Sequence, residues 1–309
     1  MTRGARFKVA LIGASGLLGR AVANELAAAT QWQVVRTAFR HGDVNTVTLD
    51  IRDEGAVRAF ISEQVPDAIV VAAAERRPDV CENDPALARA LNVDALRFIA
   101  SAAKDIGSWV LSISTDYVFD GTRPPYRPDD APNPLNAYGR SKLDGEQALL
   151  RSGAQACVLR LPLLYGPVID WGESAVTSLT PAIVESARGE TPAMMDAWAT
   201  RYPTFTPDVA VVIRQLLMRH EIGESVNGVT HWSGDEPMTK FDIAQTIARV
   251  LNIDARITAQ HKPVDATPRP RNCHLASDVL EDLKIGQRTP FEAAIRAVMQ
   301  NWPRPTTSL

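Results

Sequence analysis

The chain has 309 residues, enough for one large α/β unit or two lobes, since domains usually hold about 100 to 200 residues. Its 33 basic and 36 acidic residues leave a formal charge of −3, which gives no excess cation field and argues against nucleic acid as the main partner. The longest apolar run, Ala68 to Ala74, falls far short of the roughly 20 residues that cross a bilayer, so no membrane span is expected.

In chain order, short apolar runs alternate with longer helical patterns. The opening Met1-Thr2-Arg3-Gly4-Ala5-Arg6 leads directly into a strand-like run with no export signal, and Cys81, Cys157 and Cys273 have neither even count nor metal spacing. A reduced, cytoplasmic chain is expected. Strands are predicted at Lys8 to Ile12, Gln33 to Ala38, Ala68 to Ala73, Trp109 to Ile113 and Ala156 to Leu161. Helices are predicted between them at Leu17 to Ala29, Glu54 to Gln64, Pro85 to Ile106 and Ala137 to Leu150. The alternation predicts an α/β fold with a doubly wound parallel sheet. After Tyr165-Gly166-Pro167 the pattern loosens into helices, short strands and proline-rich turns such as Thr267-Pro268-Arg269-Pro270-Arg271. The expected organisation is a dinucleotide-binding lobe at 1–165, rejoined by a segment near 205–232, with 166–309 forming a smaller substrate lobe. Pro303 to Leu309 reads as a frayed tail.

The first strand runs into Gly13-Ala14-Ser15-Gly16-Leu17-Leu18-Gly19, a GxxGxxG turn that opens a helix. Glycine lets the backbone turn sharply and approach a pyrophosphate, whose charge sits on the free N–H groups of the helix N-terminus. At the end of the second strand, Arg36-Thr37-Ala38-Phe39-Arg40-His41 lacks the acid that an NAD ribose would need. Arg40, assisted by Arg36 or His41, can pair with a 2′-phosphate, so NADP is the expected cofactor, against the alternative of a solvated basic loop. Asp50 is placed either to accept from the adenine amine or to serve as a turn aspartate.

The fifth strand ends in Ser112-Ile113-Ser114-Thr115-Asp116-Tyr117, whose hydroxyls emerge at the carboxyl end of the sheet, where open α/β folds bind ligands. Downstream, Tyr138 and Lys142 stand at i and i+4 on one helical face. A nearby ammonium is expected to lower the phenol pKa and make Tyr138 a proton donor to a developing alkoxide. Thr115 would hydrogen-bond the same oxygen, and Lys142 would also hold the nicotinamide ribose.

With these elements the chain resembles the extended short-chain dehydrogenase/reductase superfamily (Rossmann fold), in its dTDP-4-dehydrorhamnose reductase branch. The resemblance rests on the glycine turn, Ser114-Thr115-Asp116-Tyr117-Val118-Phe119-Asp120-Gly121, the Tyr138 and Lys142 pair, Arg160, Tyr165-Gly166 and Asp208-Val209-Ala210. It implies a Thr115, Tyr138, Lys142 triad and hydride transfer from NADPH to a 4-keto-6-deoxy sugar on a nucleotide. A further and closer likeness runs through Ala73 to Val80, Ser174 to Thr177, His231 to Gly234, Arg269 to Asn272 and Ile285 to Phe291. These segments resemble the regulatory β subunits of methionine adenosyltransferase, members of the same superfamily. That likeness implies an NADP site lined by Gly16 to Gly19, Phe39 to His41, Ala72, Arg76, Tyr138 and Leu164, with Ala73 beside them, and a role as partner of methionine adenosyltransferase. By analogy within the superfamily, the helix at 137–150 would also pack between the subunits of a homodimer. One departure from the reductase pattern stands out: the tryptophan that rhamnose-forming reductases place before the Tyr-Gly is absent, and Arg160-Leu161-Pro162-Leu163-Leu164 offers aliphatic groups.

The five histidines form no metal-type cluster, so no metal is expected. His231, beside Trp232, reads as core or pocket lining. Arg201, Arg269 and Arg271 read either as clamps for a nucleotide diphosphate or as solvated turn arginines.

Overall fold

A computed structural model describes residues 6–40, 42–189, 191–263 and 267–300. The expected tail at Pro303 to Leu309 and the candidate phosphate ligand His41 lie outside the described residues. The strands are β1 (Lys8–Ile12), β2 (Gln33–Ala38), β3 (Thr46–Thr48), β4 (Ala68–Val71), β5 (Trp109–Thr115), β6 (Ala156–Leu161), β7 (Leu164–Tyr165), β8 (Ala193–Asp196), β9 (Thr204–Phe205), β10 (Gly228–His231) and β11 (Ile257–Gln260). The α-helices are α1 (Leu17–Ala27), α2 (Glu54–Gln64), α3 (Pro78–Asn83), α4 (Pro85–Arg89), α5 (Ala95–Ile106), α6 (Ala137–Arg151), α7 (Thr180–Arg188), α8 (Thr206–Glu221), α9 (Lys240–Leu251), α10 (Asp278–Asp282) and α11 (Phe291–Gln300).

Seven strands form one parallel sheet in the order β10-β6-β5-β4-β1-β2-β3, the doubly wound topology that the alternating pattern predicts. Side chains alternate across the strands, so each strand feeds two cores. On one face Val9, Leu11, Val70, Leu111 and Leu159 pack with Val22 of α1 and Val209, Ile213 and Leu216 of α8. On the other, Ala10, Ile12, Ile69, Val110 and Val158 pack with Val57 and Ile61 of α2, Ile99 of α5 and Leu149 of α6. A separate cluster, including Tyr165, Ile183, Met195, Ile243, Ile247 and Ile295, joins α7, α9, α11 and the two-stranded sheet β8–β11. The chain thus leaves the main sheet after β6 and returns to it through α8 and β10.

Several elements depart from the sequence expectation: α1 stops at Ala27 rather than Ala29, and β5 runs on to Thr115 rather than ending at Ile113. β4 ends at Val71; Ala72 keeps one bond to Ile12 O at 2.9 Å, and Ala73 packs on the glycine turn at Gly13. The helix expected over 85–106 is interrupted by a π-helical stretch at Ala90–Asp94. The buried Asn92 in that stretch accepts from the Glu75 amide at 2.9 Å and donates to the Glu75 carbonyl at 3.0 Å and to Ser141 Oγ at 2.9 Å. These bonds tie the segment after β4 to α6, and the widened turn supplies them where a regular helix would keep its own spacing.

Candidate active site

Gly13 has a φ of 86°, and a Cβ there would come within 2.8 Å of the Ala73 nitrogen. A Cβ on Gly19 would run into the Gly13 carbonyl oxygen. Gly16 is different: its Cβ would meet only that same oxygen at 3.5 Å, an ordinary contact, so the protein's own packing does not require glycine there. Gly16 is the N-cap of α1, makes no side-chain cap bond, and precedes a first turn without acids. The Gly13 and Ala14 amides donate to Thr37 O and the Gly16 amide to Gly13 O, which fixes the turn. The amides of Leu17, Leu18 and Gly19 open the helix and have no intrahelical acceptor. A cradle that a Cβ at 16 would fill, beside a helix N-terminus, fits a pyrophosphate.

Beyond β2, the exposed Phe39 ring lies between two guanidiniums, Arg40 at 5.3 Å and Arg52 at 5.1 Å from its centroid. Ser15 Oγ donates to the Arg40 carbonyl at 3.4 Å and joins this platform to the glycine turn. Asp50 accepts from Arg52 Nε at 2.9 Å, Nη2 at 2.6 Å and the Arg52 amide at 3.0 Å. Its carboxyl is held below the usual range, chiefly by the Arg52 hydrogen bond. Asp50 thus makes a turn bond to the Arg52 amide and orients the Arg52 guanidinium. Arg36 turns away to Asp43 Oδ1 at 3.2 Å. The second guanidinium beside Phe39 is Arg52, which sequence reasoning missed; its signal is the Asp-x-Arg spacing just past β3.

Ala73 packs on Gly13, and the preceding Ala72 continues the β4 backbone through a bond to Ile12 O. Arg76 is exposed and reaches the Gly172 carbonyl at 3.5 Å. Leu164, on β7, pairs with Thr204 and is half-buried. Arg20 donates to the Ser15 carbonyl at 2.7 Å and forms an ion pair with Glu173 at 2.7 Å, tying the segment after β7 to the glycine turn.

Asn136 sets the start of α6. Its side chain accepts from the Gly139 amide at 2.9 Å and donates to the Pro268 carbonyl at 2.9 Å. Side chains at 139 and 145 would collide with the Tyr117 and Asn92 carbonyl oxygens, so glycine at both positions lets the helix lie close to its neighbours. Tyr138 is thereby brought to the end of β5, beside Thr115, where its ring meets Tyr117 edge-on at 5.8 Å. Thr115 Oγ1 donates to Asp116 Oδ1 at 3.1 Å and accepts from the Tyr117 amide at 3.2 Å. Lys142 is buried and donates to the Ile113 carbonyl at 2.8 Å.

The expected lowering of the phenol pKa is not what this arrangement produces. Burial pushes the Tyr138 hydroxyl above its ordinary value, opposed by the Thr115 hydrogen bond and reinforced by the Asp116 charge. The Lys142 ammonium is occupied by a carbonyl and is itself pulled down to about 8 by burial, which the Glu146 charge opposes. Burial also pushes the Asp116 carboxyl up to about 6, against the attraction of Arg201.

Arg201 is not a solvated turn arginine. It is buried, its Nη1 donates to the Thr200 and Pro270 carbonyls at 3.0 and 2.9 Å, and its guanidinium lies 5.8 Å from the Tyr117 ring centroid. Arg269 reaches Asp79 at 3.4 Å, and Arg271 is exposed. His231 is a core residue, facing the Tyr126 carbonyl at 3.2 Å and held near 3 by burial and by Arg160. Among the described residues no group of three or more His, Cys, Asp or Glu is arranged to hold a metal ion, and no helix is long and apolar enough to cross a membrane.

Known proteins share this sequence and fold along most of their length. The chain is 45% identical over 300 residues to the methionine adenosyltransferase 2 subunit beta of Bos taurus, covering 96% of this chain and 87% of that relative. It is 35% identical over 293 residues to a Streptomyces antibioticus protein named as a probable dTDP-4,6-dihydroxy-2-methyloxan-3-one 4-ketoreductase, covering 93% and 92% of the two chains. Its structure matches a dTDP-4-dehydrorhamnose reductase from Bacillus anthracis in complex with NADP, with a TM-score of 0.81 and 25% identity over 95% of this chain and 98% of that one. Residues 7–303 match the family described as the RmlD substrate binding domain, and with that span nearly complete the chain belongs to this family.

Proposed function

We propose that the chain is an NADPH-dependent reductase of a nucleotide-linked 4-keto-6-deoxy sugar, working in the cytoplasm. The observation that carries this reading is the placement of Tyr138 beside Thr115 and Tyr117 at the carboxyl end of a parallel sheet, with Lys142 one helical turn away. NADPH supplies the hydride for the carbonyl carbon. The carbonyl oxygen takes the Tyr138 proton while the Thr115 hydroxyl donates to the same oxygen. A phenol held above its ordinary value keeps that proton at neutral pH, the state a donor needs. Lys142 holds the nicotinamide ribose, and the glycine turn holds the pyrophosphate with Arg40 at the 2′-phosphate. In this reading 1–165 and the segment near 205–232 bind the dinucleotide, and the rest of the chain binds the sugar. The Streptomyces ketoreductase and the NADP-bound Bacillus structure support it. Three free, buried cysteines support a reducing compartment. NADPH oxidation measured with a panel of dTDP-linked keto sugars tests it, with Tyr138→Phe as the inactive control.

A second reading, a regulatory subunit of methionine adenosyltransferase, is favoured by the 45% identity to the bovine subunit and by the aliphatic Leu163 and Leu164. Its mark is co-purification with methionine adenosyltransferase and a change in that enzyme's kinetics, with no nucleotide sugar reduced.

A further inference from the structure

On α6, Tyr138, Lys142 and Glu146 follow one another at i, i+4 and i+8, so the face that carries the proton donor ends in a carboxylate. Glu146 is 3% exposed, a costly place for a charge without partners. The strands beneath supply those partners in a single row. Ser114 of β5, Arg160 of β6 and His231 of β10 are direct neighbours in the sheet register. Arg160 clamps both Glu146 oxygens, with Nε at 3.0 Å and Nη2 at 2.7 Å, and Ser114 Oγ donates to Oε1. Arg160 is held in turn by His231 Nε2 at 3.4 Å and by the Phe119 ring at 5.1 Å. With Nδ1 facing the Tyr126 carbonyl, His231 is neutral and adds no charge to the row.

We propose that Glu146 is a positioning residue of the active site: fixed by Ser114 and Arg160, its carboxylate keeps the Lys142 ammonium charged and aimed at the edge of β5. This rests on the reading that Lys142 serves the proton donor and the cofactor ribose. Among the described residues, three groups act on Lys142. Ile113 offers its carbonyl, α3 presents the Cys81 thiol, which burial pushes up to about 11 and so leaves neutral, and α6 presents Glu146. Among the described residues it is the Glu146 carboxylate, one helical turn from Lys142, whose charge favours the ammonium, and that carboxylate is itself held by Arg160 at 2.7 Å.

The experiment reads Lys142 directly. The full chain, labelled with isotopic lysine, has six lysines, and the side-chain resonance of Lys142, assigned with Lys142→Arg, is followed against pH by NMR. Glu146→Gln is expected to move its midpoint down by about one pH unit or more. Glu146→Gln combined with Arg160→Met removes both buried charges, preserves the fold where the single variant does not, and moves the midpoint the same way. A folded variant whose Lys142 titrates as in the wild type overturns the proposal. NADPH oxidation by the same samples separates the two levels: wild type that reduces no sugar, with a Lys142 midpoint that still falls on loss of Glu146, refutes the reductase reading and leaves Glu146 as the residue that keeps Lys142 charged for the cofactor ribose alone.

Discussion

Gly16 and Gly19 look equivalent in the sequence, and the structure predicts opposite consequences for replacing them. At 19 a methyl group would strike the Gly13 carbonyl oxygen and lie 2.9 Å from Ala14 Cα, both backbone atoms fixed by the bonds from Gly13 and Ala14 to Thr37 O. The intrinsic helix gain of about 1 kcal/mol from Gly to Ala is then outweighed by overpacking of about 1–3 kcal/mol or more. Gly19→Ala should lower Tm by several degrees. At 16 the methyl meets one oxygen at 3.5 Å, and the N-cap change from Gly to Ala costs at most about 1 kcal/mol, so Tm should stay within a degree or two. The open face at 16 is where a pyrophosphate would approach, so Gly16→Ala should weaken NADPH binding at least about tenfold, roughly 1.4 kcal/mol. Thermal melts and NADPH fluorescence titration on the two variants give all four values. A Gly16→Ala protein that binds NADPH as tightly as wild type would refute the placement of the cofactor over this turn.

The guanidiniums beside Phe39 should set cofactor choice. Arg40→Ala and Arg52→Ala should each lower the ratio of NADPH to NADH affinity by about tenfold, the scale of one charge-assisted hydrogen bond, and unchanged ratios in both would remove the 2′-phosphate from this platform. Tyr138→Phe should reduce turnover at least about a hundredfold while NADPH affinity stays within about twofold; wild-type turnover would dismiss Tyr138 as donor. Asp116 gives a pH signature. Because its carboxyl is raised to about 6 in the folded chain, the folded state favours the proton, and the contribution to stability is full below about pH 4 and lost as pH rises through about 6. Asp116→Asn should therefore melt like wild type near pH 4 and above it near pH 8, and equal melting temperatures at both ends would show that Asp116 is not held in its protonated form by burial.

Much of the Rossmann half was legible because its signals are local. β1, β2, β6 and α2 begin and end where the apolar runs and helix caps place them, with Asp53 accepting from the Ala56 amide at the start of α2. The errors fall where a partner distant in sequence intervenes. β4 stops two residues early because Ala73 must meet Gly13, and the long helix after Pro85 opens at Asn92 because Glu75 and Ser141 need its side chain. Periodicity carries no information about such partners. The same holds at the site. Tyr138 and Lys142 were readable as a spacing, whereas Arg52 and Asp116 became candidates only once the fold brought them to Phe39 and Thr115, and the burial of Arg201 against Tyr117 was visible only in the fold.

The buried row beneath α6 bears on the choice between enzyme and regulatory subunit. A buried Arg–Glu pair is weak as a stabiliser, since well-packed apolar residues in its place are often neutral or better. Arg160 and Glu146 are 3% and 4% exposed in their side chains, and their burial is matched by Ser114 and His231 with nothing left over for the fold. A subunit that acted only by docking would need the helix and the sheet, which Leu149, Val110 and Val158 already hold together. What those apolar residues cannot do is place a full negative charge one turn from Lys142. On the proposal that Glu146 keeps Lys142 charged, the row has its physical rationale in the protonation state of Lys142, which the proposed carbonyl reduction needs beside a proton-bearing tyrosine.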